Sequence, residues 1–427
     1  MQPIRSLAAV LVVLGCASAA FGAAPPLIHA CTAPPLPAPT GNVVRVSTVS
    51  AFQNAVAGLT SGTTILMAPG MYNLTAFVAV ANGVRDVAIR GDSNSCDDVV
   101  IVGKGMSNAN NGGVVHGIWI GNAQRVLIAN LTIRDVYYHP IQLDPNQGAD
   151  APRLYNLHLI DAGEQFIKVS AAADGTGVTG GLVEYCTMEY TTTARSNYTN
   201  GVDVHTGANW VVRHCLFKNI RAPAGQLAGP AVLMWNGTRD SIIENNLFLN
   251  CQYGIALGLN GAKSDDHIGG IVRNNFFHRS SGQSGDTGIT INNCAGVKVL
   301  NNTVILSGTY PNAIEYRFAA TTGVDIRYNL TDGLVQKRDG ASGTVSSNVT
   351  NALASWFVNA AAGDLHLVAS ASGAINRALA HPDVPVDYDL QSRAGDGVPD
   401  AGGDEFSATA ADTVPPAAPE NLRVANP

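Results

Sequence analysis

The sequence predicts an all-β fold, a right-handed parallel β-helix (solenoid) with an N-terminal helical cap and an internal asparagine ladder. Three observations carry that reading: a short motif that recurs nine times, a run of asparagines at one of its positions, and no 3.6-residue pattern along it. The motif is an aliphatic residue, any residue, two turn-forming residues, any residue, then a large apolar one. Its first turn residues are Asn130, Asn156, Tyr185, His214, Asn245, Asn274, Asn301, Tyr328 and Ser347, spaced 26 to 31 residues apart until a last step of 19. The next position reads Leu131, Leu157, Cys186 and Cys215, then Asn246, Asn275, Asn302, Asn329 and Asn348. Successive coils of a solenoid lie ~4.8 Å apart, so identical amides stack and each donates to the next. A repeat of this length holds about three short strands per coil around one core. The asparagines therefore explain the fold and are not a site.

Ahead of the coils, residues 1–23 read as an export signal, with Arg5 as a basic start, an apolar Leu7 to Leu14 and small residues through Ala24. The apolar run is too short to span a bilayer, and no later stretch is apolar enough to do so. The expected location is secreted or periplasmic. Leu14-Gly15-Cys16 partly resembles a lipoprotein cleavage site, so an outer-surface lipoprotein through Cys16 is the alternative. Residues 24–42 form an N-terminal linker, 43–376 the β-helix, 377–406 a C-terminal capping segment and 407–427 a Pro-rich tail. Within the tail, Pro415 to Val424 looks like a linker with the first strand of a fibronectin type III module. Ser50 with Gln53 has the pattern of a capping box, and Phe52, Ala55, Val56 and Leu59 share one helical face. That short helix is expected to plug the open end of the core.

Acidic residues outnumber basic ones 32 to 25, and charged residues are only 13% of the chain. A net charge of −7 argues against nucleic acid and anionic membranes as partners, since both need concentrated Lys and Arg. An acidic polysaccharide stays open, because a local basic groove can bind it on an acidic, monomeric protein. None of the seven cysteines has a CxxC spacing. Cys31 and Cys96 flank the cap and are expected to be bonded. Cys186 and Cys215 occupy matching positions on adjacent coils, where side chains point the same way, and are expected to be free buried thiols.

The coils, the ladder and the acidic ending Asp387-Tyr388-Asp389 … Arg393 … Asp400-Ala401-Gly402-Gly403-Asp404-Glu405 together resemble the pectate-lyase-like superfamily of secreted bacterial right-handed parallel β-helix proteins. The resemblance spans roughly residues 43 to 406. The ending is similar to DxDGxxR…DIGADE, with Gly402-Gly403 where Gly-Ala is usual. Resemblance to this superfamily implies a polysaccharide lyase or hydrolase, with some epimerases and non-catalytic adhesins. Its lyases often use a Lys or Arg base, commonly with Ca²⁺ held by Asp and Glu.

The strands after each turn align as IQLD from Ile141, IKVS from Ile167, VDVH from Val202, VLMW from Val232, IALG from Ile255, ITIN from Ile289 and IEYR from Ile314. Alternation sends the first and third residues inward. The second and fourth then form two outward columns, chemically dense where Lys168 and Asp203 sit one coil apart with Asp144, His205 and Trp235 beside them. Longer loops at 189–200 and 221–229 add Arg195, Tyr198 and Arg221 as walls. The expected catalytic residues are Lys168, Asp203 and His205. Substrate would meet Trp235 as a sugar platform, with Arg195, Tyr198, Arg221 and Gln142, and Ca²⁺ would sit on Asp144, Glu164 and Asp203. Lys168 serves as the base of a β-elimination if burial and a nearby arginine ease loss of its proton. The bland reading is a solvated ion pair worth at most about 1 kcal/mol, whose outward lysine can be cut to alanine for roughly 0.5 kcal/mol or less. The function expected is thus a lyase cleaving a uronic-acid-containing polymer. One alternative is a glycoside hydrolase using Asp144 and Asp203, although the polygalacturonase signatures are absent. The other is a non-catalytic cell-surface or carbohydrate-binding solenoid. Glu315 and Arg317 form a second, weaker cluster.

Overall fold

The computed structural model describes residues 31, 33–259, 264–393 and 397–407. The export signal with Cys16, much of the 24–42 linker and the tail beyond residue 407 lie outside them.

Three short strands and two tight bends make one coil. In one coil the strands are Leu182–Glu184, Thr187–Glu189 and Val202–His205. They pair in parallel with Val211–Arg213, Leu216–Lys218 and Val232–Trp235 of the next. Stacking of the third strands gives a ten-stranded parallel sheet from Ala79–Val80 to Leu334–Lys337. The bend between the first two strands falls on the first turn residue of the motif. All nine of these residues are left-handed, with φ from 50° at Asn156 to 58° at Tyr328. Asparagine enters that region most easily because its short polar side chain bonds locally.

The next residue points inward and carries the asparagine stack. Asn246 Nδ2 donates to Asn275 Oδ1 at 2.9 Å, Asn275 to Asn302 at 2.9 Å, Asn302 to Asn329 at 3.0 Å and Asn329 to Asn348 at 2.9 Å. Each receiving oxygen also takes the backbone N–H of the donor residue, as Asn275 Oδ1 does from Asn246 at 3.1 Å. Cys215 joins through its own N–H, 3.0 Å from Asn246 Oδ1. Cys186 and Cys215 are free and buried, whereas Cys31 and Cys96 are bonded with Cα atoms 5.0 Å apart. Beside the ladder Phe217, Phe248 and Phe277 stack with ring centroids 4.8 and 4.3 Å apart, part of one continuous apolar core.

The first helix spans Val49–Ala57 and buries Phe52 and Val56. Its cap differs from the sequence reading: Thr48, not Ser50, accepts the N–H of Ala51 at 3.2 Å. Gln53 instead bonds outward, to Ala76 O and Thr75 Oγ1. The Pro-rich stretch before Asn42 lies on the solenoid, with Leu36 buried, Tyr155 Oη donating to Pro34 O and Arg90 to Pro37 O.

After the last coil, Phe357–Asn359 and Asp364–Leu367 form an antiparallel pair. The segment beyond runs along the flank of the coils. The turn residues Asn245, Asn274 and Asn301 reach it with their side-chain amides, donating to Asp387 O, Val386 O and Asp400 O. Tyr388 stacks on Phe276 with centroids 3.9 Å apart.

Candidate functional site

The third-strand sheet sets Gln142, Lys168, Asp203 and Leu233 in register as neighbours on its outer face. Alternation aims them away from the core, yet Lys168 is 8% and Asp203 only 2% exposed. Neighbouring side chains have closed over the pair, so it is not a solvated one. Lys168 Nζ donates to Asp203 Oδ2 at 2.5 Å and shares a hydrogen bond with His205 Nε2 at 2.8 Å. Asp203 Oδ1 accepts from Trp235 Nε1 at 2.9 Å, while His205 Nε2 is 3.6 Å away, beyond hydrogen-bond reach. Burial alone would raise the Asp203 carboxyl, but His205 and Lys168 outweigh it and hold it below its usual range. Removing one partner of a buried pair costs about 3–5 kcal/mol because it strands the other charge. Lys168→Ala is therefore not the near-neutral change that a solvated position implies.

Four of the expected residues meet in this cluster: Lys168, Asp203, His205 and Trp235. Tyr198 joins them, its ring centroid 5.9 Å from Lys168 Nζ and its side chain exposed. Trp235 is not a free platform. Its N–H is committed to Asp203, and its ring tilts at 54° against His205. Gln142 is buried and bonds to Leu143 O and Ser170 Oγ. Arg195 forms a wall beside them, bonded to Glu164 at 3.1 Å and lying 4.2 Å over the Tyr137 ring. Arg221 does not belong here: its guanidinium turns to Asn250 O and Ser284 O of later coils.

The expected calcium ligands do not fit one ion. Asp144 caps the short turn Pro145–Gln147, accepting the Asn146 N–H at 3.0 Å. Glu164 is held by Arg195, and Asp203 by Lys168 and Trp235. Among the described residues, the two groupings of three or more donors within reach of one ion include none of these three. Of the hydrolytic pair, Asp203 has both oxygens in hydrogen bonds and Asp144 turns Oδ1 to its own loop. Glu315, in turn, is bound by Arg338 at 3.0 Å and by Asn312 at 2.6 Å, as a structural acid.

Residues missed by the sequence reading extend the face towards the N-terminus. His139 is buried with Nδ1 3.0 Å from Gln165 O, and Nε2 is 3.7 Å from Glu164. Burial and the adjacent His116 push it down to about 3, so it is a neutral ring. His116 stacks on His139 at 5.2 Å and touches Tyr138 and Phe77. Trp119 lies one coil before Gln142 in the same column. Its ring folds over Gly121, where a Cβ would come within 2.1 Å of it and push the ring aside. The alignment that began at Ile141 passed over the matching Ile118-Trp119-Ile120-Gly121, which was the available signal.

A family model described as a right handed beta helix region matches residues 116–331. No curated protein matches the sequence. Among solved structures, the chain is similar to pectate lyase Pel9A, with 15% identity, a TM-score of 0.58, and coverage of 86% of this chain and 97% of that one. It is also similar to an alginate lyase from Paenibacillus sp. str. FPU-7, with 15% identity, a TM-score of 0.51, and coverage of 72% and 99%. At such identities the likeness is one of fold. No helix among the described residues is long and apolar enough to cross a membrane.

Proposed function

This chain belongs to the right-handed β-helix family, and from that premise we propose that it is a polysaccharide lyase cleaving a uronic-acid-containing polymer by β-elimination, with Lys168 as the base. The observation that carries the reading is the amine itself, set on the outer face of the sheet between a carboxylate and an imidazole nitrogen. Passing the proton shared across the 2.8 Å contact to His205 leaves a neutral amine beside an imidazolium that Asp203 balances. The amine lone pair takes the C5 proton, and the C5–H electrons form the C4=C5 double bond. The C4–O bond breaks towards the leaving oxygen, which recovers a proton from His205. Tyr198 flanks the amine, and Arg195 is the cation assigned to the uronate carboxylate, which draws it from Glu164. No step is routed through a metal.

Alginate and pectate, named in the two structural neighbours, are both polyuronates, which supports elimination over hydrolysis. Export by residues 1–23 would bring the protein to such polymers. The test is a panel of polyuronates, with and without chelator, following the ultraviolet absorbance of the unsaturated product. Lys168→Gln removes the amine that takes the proton, so turnover should fall about 10²–10⁴-fold in a folded protein whose melting temperature is lowered by the stranded Asp203. Full turnover by Lys168→Gln overturns the assignment of the base. Polymer binding without any elimination product replaces the lyase reading with a carbohydrate-binding one.

A further inference from the structure

The C-terminal segment gathers six buried or nearly buried carboxylates, Asp364, Asp387, Asp389, Asp400, Asp404 and Glu405, with Arg393 and His366 as the cations that contact them. Two cations against six acids leave this interior rich in carboxylate even with His366 protonated. Buried charge is tolerated only when it is paired or holds a metal. Most of these acids are satisfied by backbone N–H groups: Asp387, for example, accepts from Asp389, Gln391 and Glu405.

Three of the side chains converge differently. His366 Nε2, Asp389 and Asp404 each offer a ligand atom, all within 4.8 Å of one another. His366 Nε2 lies 2.9 Å from Asp389 Oδ2, yet the pair lacks hydrogen-bond geometry and neither atom has a hydrogen-bond partner. The His366 side chain is 95% buried, at 5% exposure. Its orientation is fixed from behind, because Nδ1 sits 2.6 Å from Asp364 Oδ1. A carboxylate holding one imidazole nitrogen so that the other aims its lone pair at a point is the outer-shell arrangement of metal-bound histidines. Phe276 and Tyr388 meet the ring edge-on at 5.3 and 5.7 Å, and the buried Tyr388 hydroxyl also has no partner. Asp404 is anchored by the Leu367 N–H at 2.6 Å on its Oδ2.

We propose that His366, Asp389 and Asp404 bind a divalent first-row transition cation, zinc in the first instance, which ties the strand Asp364–Leu367 to the C-terminal segment. One imidazole and two carboxylates suit zinc, whose ligand bonds of ~2.0–2.2 Å hold ligand atoms about 3.4 Å apart. The ion adds two positive charges among these carboxylates, and its place on the flank makes it independent of the Lys168 site.

The full chain, stripped with chelator and dialysed, is titrated with zinc chloride, measuring bound metal per chain and the melting temperature. One zinc per chain and a melting temperature that rises with zinc concentration are expected. Asp389→Asn, on the least buried ligand, should weaken zinc binding at least tenfold. It should leave the metal-free melting temperature equal or higher, because it removes one carboxylate from an interior rich in them. No bound zinc in the wild-type protein overturns the proposal. So does unchanged binding by Asp389→Asn, or a metal-free Asp389→Asn protein that melts clearly lower, which would make Asp389 a plain ion-pair partner of His366. Calcium stabilising as well as zinc would overturn the choice of a transition cation.

Discussion

Replacing Asn275 with alanine tests the stack that holds the coils in register. The Asn275 amide donates to Asn302 Oδ1, Ile243 O and Arg273 O, all at 2.9 Å. Its oxygen accepts from the Asn246 backbone at 3.1 Å and from the Asn246 amide at 2.9 Å. In the alanine variant the Asn246 side chain keeps Val212 O, and Asn302 Oδ1 keeps the residue-275 N–H. The buried Asn246 N–H keeps nothing. An orphaned buried group of that kind costs about 1–3 kcal/mol, and the two carbonyls left with weaker pairing add part of another such increment. About 3 kcal/mol in total is expected. With an unfolding entropy of ~2.1 cal/mol/K per residue, a chain of this size drops about 1.1 °C per kcal/mol, so the midpoint should fall by about 3 °C. Calorimetry reads this against Asn348→Ala, at the half-buried end of the stack, where water can replace the lost partner. An Asn275→Ala midpoint within 1 °C of the wild type, or no lower than that of Asn348→Ala, would refute the reasoning.

Two further outcomes concern the frame of the site. The Cys31–Cys96 bond closes a loop 65 residues long, which in the chain-entropy account stabilises by roughly 4 kcal/mol; Cys96→Ser should melt several degrees lower, while thiol reagents leave the four buried cysteines untouched until unfolding. Glu189 is held down to about 2, first by its hydrogen bond to His158 and then, against burial, by Lys218. A carboxyl lowered by folding stabilises above its unfolded value near 4.5 and loses that contribution as pH falls towards 2. Acid titrations of stability should therefore lose roughly 3 kcal/mol over that window, and Glu189→Gln should flatten the curve there.

The solenoid was legible because its signal is arithmetic. A coil that must return to the same place forces apolar pairs, a left-handed turn residue and an inward amide to recur at one spacing, as they do from Asn130 to Ser347. The outward columns followed from alternation alone, which put Lys168 beside Asp203. Partner choice was not legible, since it depends on side-chain reach between coils. Nothing in the spacing says that Trp235 spends its N–H on Asp203, or that Arg221 leans towards Ser284 rather than the groove. The capping assignment failed for a similar reason. Thr48 and Ser50 both offer a hydroxyl near the helix start, and only the extended backbone at Thr48, with φ −134° and ψ 156°, decides between them.

The column that holds Lys168 and Asp203 also indicates why they are there. The next three coils fill the same outward position with Leu233, Ala256 and Thr290, all buried, before Glu315 returns a carboxylate to the column. The fold thus accepts small or apolar residues at this height of the sheet and has no architectural need for charge. Taking an ammonium and a carboxylate out of water costs several kcal/mol per ion, and well-packed apolar substitutes for such a pair are often as stable or more so. A buried pair at a height that the next three coils leave uncharged is therefore poorly explained by stability alone. The Trp235 and His205 contacts point the same way, because each adds a directed hydrogen bond to one member of the pair. On the proposed lyase reading, the need for a positioned amine accounts for what packing does not.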